Sequence, residues 1–330
     1  MKPQPKVSVI IPVYGIERFI GRCAESLFNQ TIDNAEFIFV DDATPDRSID
    51  ILKNVLYRFP NRVKQTIIMH HETNKGLPDA RNTGLSTARG EYIFNFDGDD
   101  FADAEMLEDM YRKAKDDDSD IVWCDWILSF KRNERYMKQP AFDTPLDALK
   151  GMLGGSMKYN VWNKLIRRQI LTENKILFPS GYSMGEDMTI LLAFANAKKV
   201  SYLKKAFYHY VKLNNNAISK SYSAKAVEDL KFNINKVETQ LRQLYGKKLD
   251  EEIAFFKLNA KYPLLIMNGS IDNYRIWQNL FPESNKYIKE NHYISIRNRL
   301  VQLFAAKNLF SFVRLHYYFV CKLVYGIIYK

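Results

Sequence analysis

The chain has 330 residues, about two domains' worth at a common length of roughly 150 residues each. A hydrophobic share of 46% and a charged share of 26% are those of an ordinary globular protein, which excludes a disordered, fibrous or disulfide-stapled chain as an overall description. The net charge of +10 is compatible with polyanions, anionic lipid or phosphate-bearing substrates, and the total does not choose among them.

Residues 1–6 are short and polar and lack the arrangement of a signal peptide, so a cytoplasmic location is expected. Short β-rich runs follow at 7–11, 37–40, 66–69, 92–96 and 121–124. Segments with helical apolar spacing lie between them, such as Phe19, Ile20, Cys23 and Leu27. Strand alternating with helix predicts an α/β region over 1–220, a mostly parallel sheet flanked by helices. Such sheets bind ligands beyond the carboxyl ends of their strands. From Ser223 the texture turns helical: Val227, Leu230, Ile234, Val237, Leu241 and Leu244 make one apolar stripe. Ser223 is the expected N-cap and Gly246 the expected stop. Residues 221–330 are therefore read as a helical C-terminal region. Cys23, Cys124 and Cys321 lie far apart without metal-ligand spacing, which predicts neither a zinc site nor a disulfide framework.

The run 90–100 carries the most chemistry, an apolar strand leading into Asp97-Gly98-Asp99-Asp100. Alternation in an extended chain puts Asp97 and Asp99 on the same side. Two carboxylates so placed suit a hard divalent cation, whose shell is often completed by substrate phosphate oxygens. Taken alone, Asp and Gly also make a solvated turn. A second acidic pair, Asp41-Asp42, ends the strand at 37–40, and Pro12-Val13-Tyr14 ends the first strand. In a parallel sheet the three ends open on one edge, where a ring, a carboxylate and a cation site together match a nucleotide diphosphate.

The ordered set 7–14, Val40-Asp41-Asp42, 74–84 (Asn74 to Gly84) and Asp97-Gly98-Asp99-Asp100 resembles the signature of family 2 glycosyltransferases with the GT-A fold. The resemblance covers roughly residues 6 to 220. It implies that Pro12, Tyr14 and Asp42, with Asp41 beside them, hold the nucleobase, although a one-residue slip at the strand end would exchange the two carboxylates. It further implies that Arg81 and Asn82 contact the nucleotide or its sugar. Asp97, Gly98 and Asp99 would hold the donor diphosphate and Mn²⁺ or Mg²⁺. Gly15 stands where many relatives have Asn. Family members also carry a Glu-Asp pair before a helix, matched here by Glu186-Asp187, so Asp187 is the expected catalytic base. An ionised Asp at a helix start also serves as a cap.

The run 159–168 resembles the family's segment before that pair; Trp162 would face an acceptor sugar or pack in the core, and Lys164 would meet a phosphate. His209 lies where some GT-A enzymes bring a late His to the metal, while His70 and His71 lack matched partners. The implied reaction is inverting transfer from a nucleotide-diphosphate sugar, with a UDP-sugar as expected donor, to a saccharide or lipid-linked acceptor in surface polysaccharide synthesis.

No acidic residue follows Glu290, whereas Arg297, Arg299, Lys307, Arg314, Lys322 and Lys330 do. The apolar residues among them form no uninterrupted span near the roughly 20 needed to cross a bilayer. A basic, aromatic-rich tail over 291–330 instead fits the inner face of the plasma membrane, or packs on its own domain or a second subunit. Competing readings are a sugar nucleotidyltransferase, poorly matched by the sequence 12–18, and a non-catalytic sugar- or nucleotide-binding scaffold. A nucleic-acid partner is not expected, because the acidic strand ends would repel phosphate in the absence of a cation.

Overall fold

A computed structural model describes residues 4–182, 184–212 and 223–324, except the side chains of Cys321 and Val324. The chain forms two compact units, 1–145 with 159–220 and 146–158 with 221–330. The sequence reading places 146–158 with the first region; they cluster with the second.

The first unit is built on nine strands: β1 (Val7–Val13), β2 (Ala35–Asp41), β3 (Thr66–His70), β4 (Tyr92–Asn95), β5 (Phe101–Ala102), β6 (Ile121–Ser129), β7 (Glu134–Met137), β8 (Lys164–Arg167) and β9 (Val200–Val211). Their order is β3-β2-β1-β4-β8-β6-β9-β5, with β7 paired to β6. The β3-β2-β1-β4 half is parallel, and β6 and β9 are also parallel, while β8, β7 and β5 pair antiparallel. β9 escaped the sequence reading because Lys204 and Lys205 interrupt its apolar pattern with exposed side chains.

Helices α1 (Ile20–Phe28), α2 (Ser48–Tyr57), the single turn α3 (Pro60–Val63), α4 (Leu77–Thr87) and α5 (Met106–Asp116) connect the strands. β1 is apolar apart from Ser8 and has both faces covered, as a central parallel strand should be. α1 buries Ile20, Cys23, Ala24, Leu27 and Phe28, the face its spacing predicts. Cys23 and Cys124 are buried and unpaired.

Where β4 begins, Gly90 donates its N–H to Ser8 Oγ at 2.7 Å. A Cβ there would lie 2.4 Å from the backbone nitrogen of Ser8, which no rotamer change relieves. We expect Gly90→Ala to cost at least about 2 kcal/mol through overpacking, read as a lower denaturant midpoint at unchanged slope.

The second unit contains α6 (Pro145–Gly154) apart from its first residue; α7 (Arg168–Glu173) and α8 (Ile190–Asn196) belong to the first. It continues with α9 (Ala224–Tyr245), α10 (Asp250–Lys261), α11 (Pro263–Ile266), α12 (Ile271–Asn279), α13 (Ile296–Ala306) and α14 (Phe310–His316), which runs into a π-helical stretch Tyr317–Val324. α9 starts at Ser223, whose hydroxyl accepts from Ala226 N at 3.2 Å, and stops at Gly246 with φ +59°. Its buried face holds Leu230, Ile234, Val237 and Leu241, while Leu244 at the end of the expected stripe is exposed. α10 is buried along most of its length and forms the centre of this unit.

Candidate active site

The chain leaves β1 for β2 and β3 on one side and returns to β4 on the other, so the crevice at the carboxyl ends of β1 and β4 is a topological switch point. β1 delivers Pro12 and Tyr14 there, and the Tyr14 ring is 50% exposed, open to a flat partner. Gly98 lies against the end of β1: a Cβ at this position would be 2.4 Å from Ile16 Cδ1 and 3.0 Å from the Pro12 carbonyl oxygen.

The two carboxylates after β2 are not equivalent. Asp42 is buried, and it accepts from Lys75 N and Gly76 N at 2.8 Å each and from His71 Nδ1 at 2.7 Å. A carboxylate only accepts, so Nδ1 of His71 donates to Asp42, while Nε2 lies 2.9 Å from Thr83 Oγ1. Asp42 thus ties the 71–76 loop to the strand end. Asp41 is less buried, bonded to Thr44 N at 2.8 Å and 2.9 Å from His70 Nδ1.

Helix α4 organises the opposite wall. Asn82 clasps Phe178 twice, giving Nδ2 to its carbonyl and taking its N–H at Oδ1, both at 2.9 Å. Asp79 accepts from Ser180 Oγ at 2.8 Å. Arg81, between them, is 2% exposed and lies over the Phe178 ring at 5.2 Å. It donates Nη1 to Asp187 Oδ1 at 2.8 Å and Nη2 to Asp97 Oδ1 at 3.1 Å, with Glu186 Oε1 at 3.6 Å from Nη1. Burial opposes its charge, but Asp187, Asp97 and Glu186 outweigh this and hold the guanidinium above its ordinary pKa. Arg81 therefore joins the carboxylate after β4 to the one before α8, and Asn82 serves the loop that carries the latter.

Asp97 has its carboxyl pushed up to about 6, first by burial and then by Asp99 and Asp187, against the pull of Arg81. Glu186 is pushed up to about 8 by burial and by Asp187. Asp100 is fully buried, accepting Val211 N and Tyr208 Oη at 2.7 Å each, and burial drives its pKa well up. Tyr208 Oη also accepts Asp97 N at 3.1 Å, so β9 braces the acidic turn.

His209 is not brought to Asp97 and Asp99. Side chains alternate along β9, which turns Tyr208 toward the acidic turn and His209 to the other face. There His209 stacks on Phe101 at 4.2 Å, with Nε2 3.3 Å from Asp103 and Nδ1 3.2 Å from Glu134. Among the described residues no group of three or more His, Cys, Asp or Glu is placed to hold a metal ion. The half-buried Asp97 and Asp99 still fit a hard cation that arrives with phosphate oxygens, because both offer carboxylate oxygens at the crevice.

Trp162 is buried, stacked on Tyr208 at 4.6 Å and Tyr210 at 5.1 Å, which is the packing role. Lys164 is buried as well, donating to the Asn160 carbonyl at 2.6 Å and Asn163 Oδ1 at 2.8 Å, so its ammonium is not offered to a phosphate. Tyr208 and Phe178 are site residues that the sequence did not reveal, and His70 and His71, expected to lack matched partners, face Asp41 and Asp42 across the ends of β2 and β3. The alternation of the 208–210 run was the available signal for Tyr208.

Residues 8–185 match Glycosyl transferase family 2. This chain belongs to that family. It is 33% identical over 232 residues to the "Putative glycosyltransferase EpsH" of Bacillus subtilis (strain 168), covering 68% of this chain and 65% of that protein. It is 28% identical over 272 residues to the "Poly(ribitol-phosphate) beta-N-acetylglucosaminyltransferase TarS" of Staphylococcus aureus, covering 77% of this chain and 45% of that one. The chain thus spans less than two thirds of the length of these family relatives. In structure it resembles S. aureus TarS 1-349 with a TM-score of 0.69 at 21% identity, covering 94% of this chain and 90% of that chain. The fold is GT-A, a mostly parallel sheet flanked by helices and followed by C-terminal helices.

Proposed function

We propose that this family 2 chain transfers a sugar from a nucleotide-diphosphate donor, a UDP-sugar, to a hydroxyl of a saccharide or lipid-linked acceptor, with inversion, in surface polysaccharide synthesis. The observation that carries the reading is the Arg81 guanidinium held between Asp97 and Asp187, because it joins the donor-phosphate side of the crevice to the side where a base is needed. Tyr14 offers the exposed ring on which a nucleobase stacks. Asp42 bonds the 71–76 loop, and Asp41 bonds Thr44 N and lies against His70, so both carboxylates at this strand end are held in place beside Tyr14.

Asp187 Oδ1 is fixed by Arg81, and among the described residues no donor is bonded to Oδ2. In the transfer, Oδ2 takes the proton of the acceptor hydroxyl as that oxygen attacks the anomeric carbon. The bond from that carbon to the diphosphate oxygen breaks, and the electron pair leaves with the nucleotide diphosphate. The leaving group is a weak base, so no protonated carboxyl is needed on its side, unlike glycoside hydrolysis. Asp97 and Asp99 would hold Mn²⁺ or Mg²⁺, which when bound supplies Lewis-acid charge to the diphosphate.

The TarS relative's name supplies the first donor to try, an N-acetylglucosaminyl nucleotide, and the acceptor class, a poly(ribitol-phosphate). The test is nucleotide-diphosphate release from a panel of nucleotide sugars with Mn²⁺, with Mg²⁺ and with chelator. We expect release from one donor, lost with chelator and reduced at least about a hundredfold in Asp99→Ala, since a catalytic metal contributes several kcal/mol. Consumption of added pyrophosphate, with nucleoside triphosphate and sugar 1-phosphate formed in place of nucleotide diphosphate, would point to a nucleotidyltransferase. Neither release nor cation-dependent nucleotide binding would leave the scaffold reading.

A further inference from the structure

We infer that the last helices of the second unit form a docking face for an anionic lipid surface. α14 and the π-helical stretch after it are amphipathic in an unusual sense, because they bury one side and leave a second apolar stripe in water. Val313 is fully buried and Phe310 packs on Tyr274 at 5.6 Å, which marks the inner side. On the outside, Phe312, Leu315, Phe319 and Leu323 are 53%, 65%, 61% and 48% exposed, at spacings of three, four and four that keep them on one face. Four large apolar side chains in a row at the surface call for a partner.

Charge says which partner. Arg314 and Lys322 are exposed beside this stripe and flank the Tyr318 ring, at 5.8 Å and 5.4 Å from its centroid. Arg297 and Lys307 are exposed on and just after α13 in the same unit, and no acidic residue follows Glu290. A second copy of this chain would bring the same cations against themselves across a two-fold interface, which disfavours self-association. A neutral apolar partner would leave them unused. Anionic headgroups meet the cations, the Tyr318 ring sits at the boundary, and the Phe and Leu side chains enter the acyl region. Among the described residues no helix is long and apolar enough to cross a membrane, so the contact is with the surface. Ile327, Ile328 and Lys330 of the expected tail lie outside the described residues.

This inference does not depend on the transfer reading, and its test does not use activity. The full chain is sedimented with vesicles of phosphatidylcholine alone and of phosphatidylcholine mixed with phosphatidylglycerol, at low and high salt. We expect binding to the mixed vesicles only, weakened by salt. Arg314→Gln with Lys322→Gln should lower affinity by roughly twenty-five-fold, at roughly fivefold per cation. Phe312→Ser with Leu315→Ser should lower it at least as much, and the variant with Arg314→Gln and Lys322→Gln should melt as the parent does, because its altered side chains are exposed. Equal binding to both vesicle types, or parental affinity in both variants, would overturn the proposal. So would a dimer in sedimentation velocity that Phe312→Ser with Leu315→Ser dissolves, which would give the face to a second copy.

Discussion

Asp187→Asn is expected to bind donor nucleotide with unchanged affinity while transferring sugar about 10² to 10⁴ times more slowly, the usual contribution of a general base. The substitution is a clean one in this structure. The Asn amide oxygen can still accept Arg81 Nη1, which reaches Asp187 Oδ1 at 2.8 Å, so the guanidinium keeps its partner and the neighbouring carboxylates keep their cation. What is lost is the second carboxylate oxygen and its capacity to take a proton. The 3-10 turn Glu186–Thr189 and α8 after it remain supported, since Met188 and Thr189 are buried. Nucleotide binding by calorimetry and single-turnover transfer separate the two steps. Turnover near the parental rate would remove Asp187 from the mechanism, and Glu186, 3.6 Å from the same guanidinium, would be tested next.

Arg81→Met is expected to lower stability by about 2 to 4 kcal/mol and to abolish transfer. Removing one partner of a buried ion pair typically costs about 3 to 5 kcal/mol, because the other charge stays buried and unpaired. Here three carboxylates, Asp97, Asp187 and Glu186, share the one guanidinium. Asp97 and Asp187 each retain about a quarter of their exposure, and water there reduces the loss, hence the lower range. Arg81→Lys should recover part of the stability and little of the activity, since a single ammonium cannot reproduce two separate bonds from Nη1 and Nη2. Denaturant midpoints and transfer rates on the three proteins check this. A methionine variant as stable and active as the parent would mean that the bridge contributes nothing.

Much of the first unit is readable from local pattern. Apolar runs marked β1, β2, β3 and β4, and the polar residues ending them marked the crevice, because a parallel sheet opens its strand ends on one edge. The Ser223 cap and the Gly246 stop of α9 were equally legible, since capping is a property of a few consecutive residues. β9 was not: its exposed lysines conceal a strand whose place is set by pairing with β6 and β5.

Local pattern is enough to bring the strand-end carboxylates, the Tyr14 ring and Gly98 to one crevice, and to mark the last stretch of chain as apolar and basic. Which partner each side chain has is a matter of the fold. Arg81 reads as a nucleotide contact but bridges Asp97 to Asp187, a residue 106 positions away. Asp42 reads as a base contact but spends its oxygens on the 71–76 loop, and His209 reads as a metal ligand but turns to Asp103 and Glu134. The physical reason is common to all three. Periodicity and capping are set by neighbours a turn or a strand pair away, whereas the partner of a buried charge is chosen by whichever distant segment the fold brings within about 3 Å.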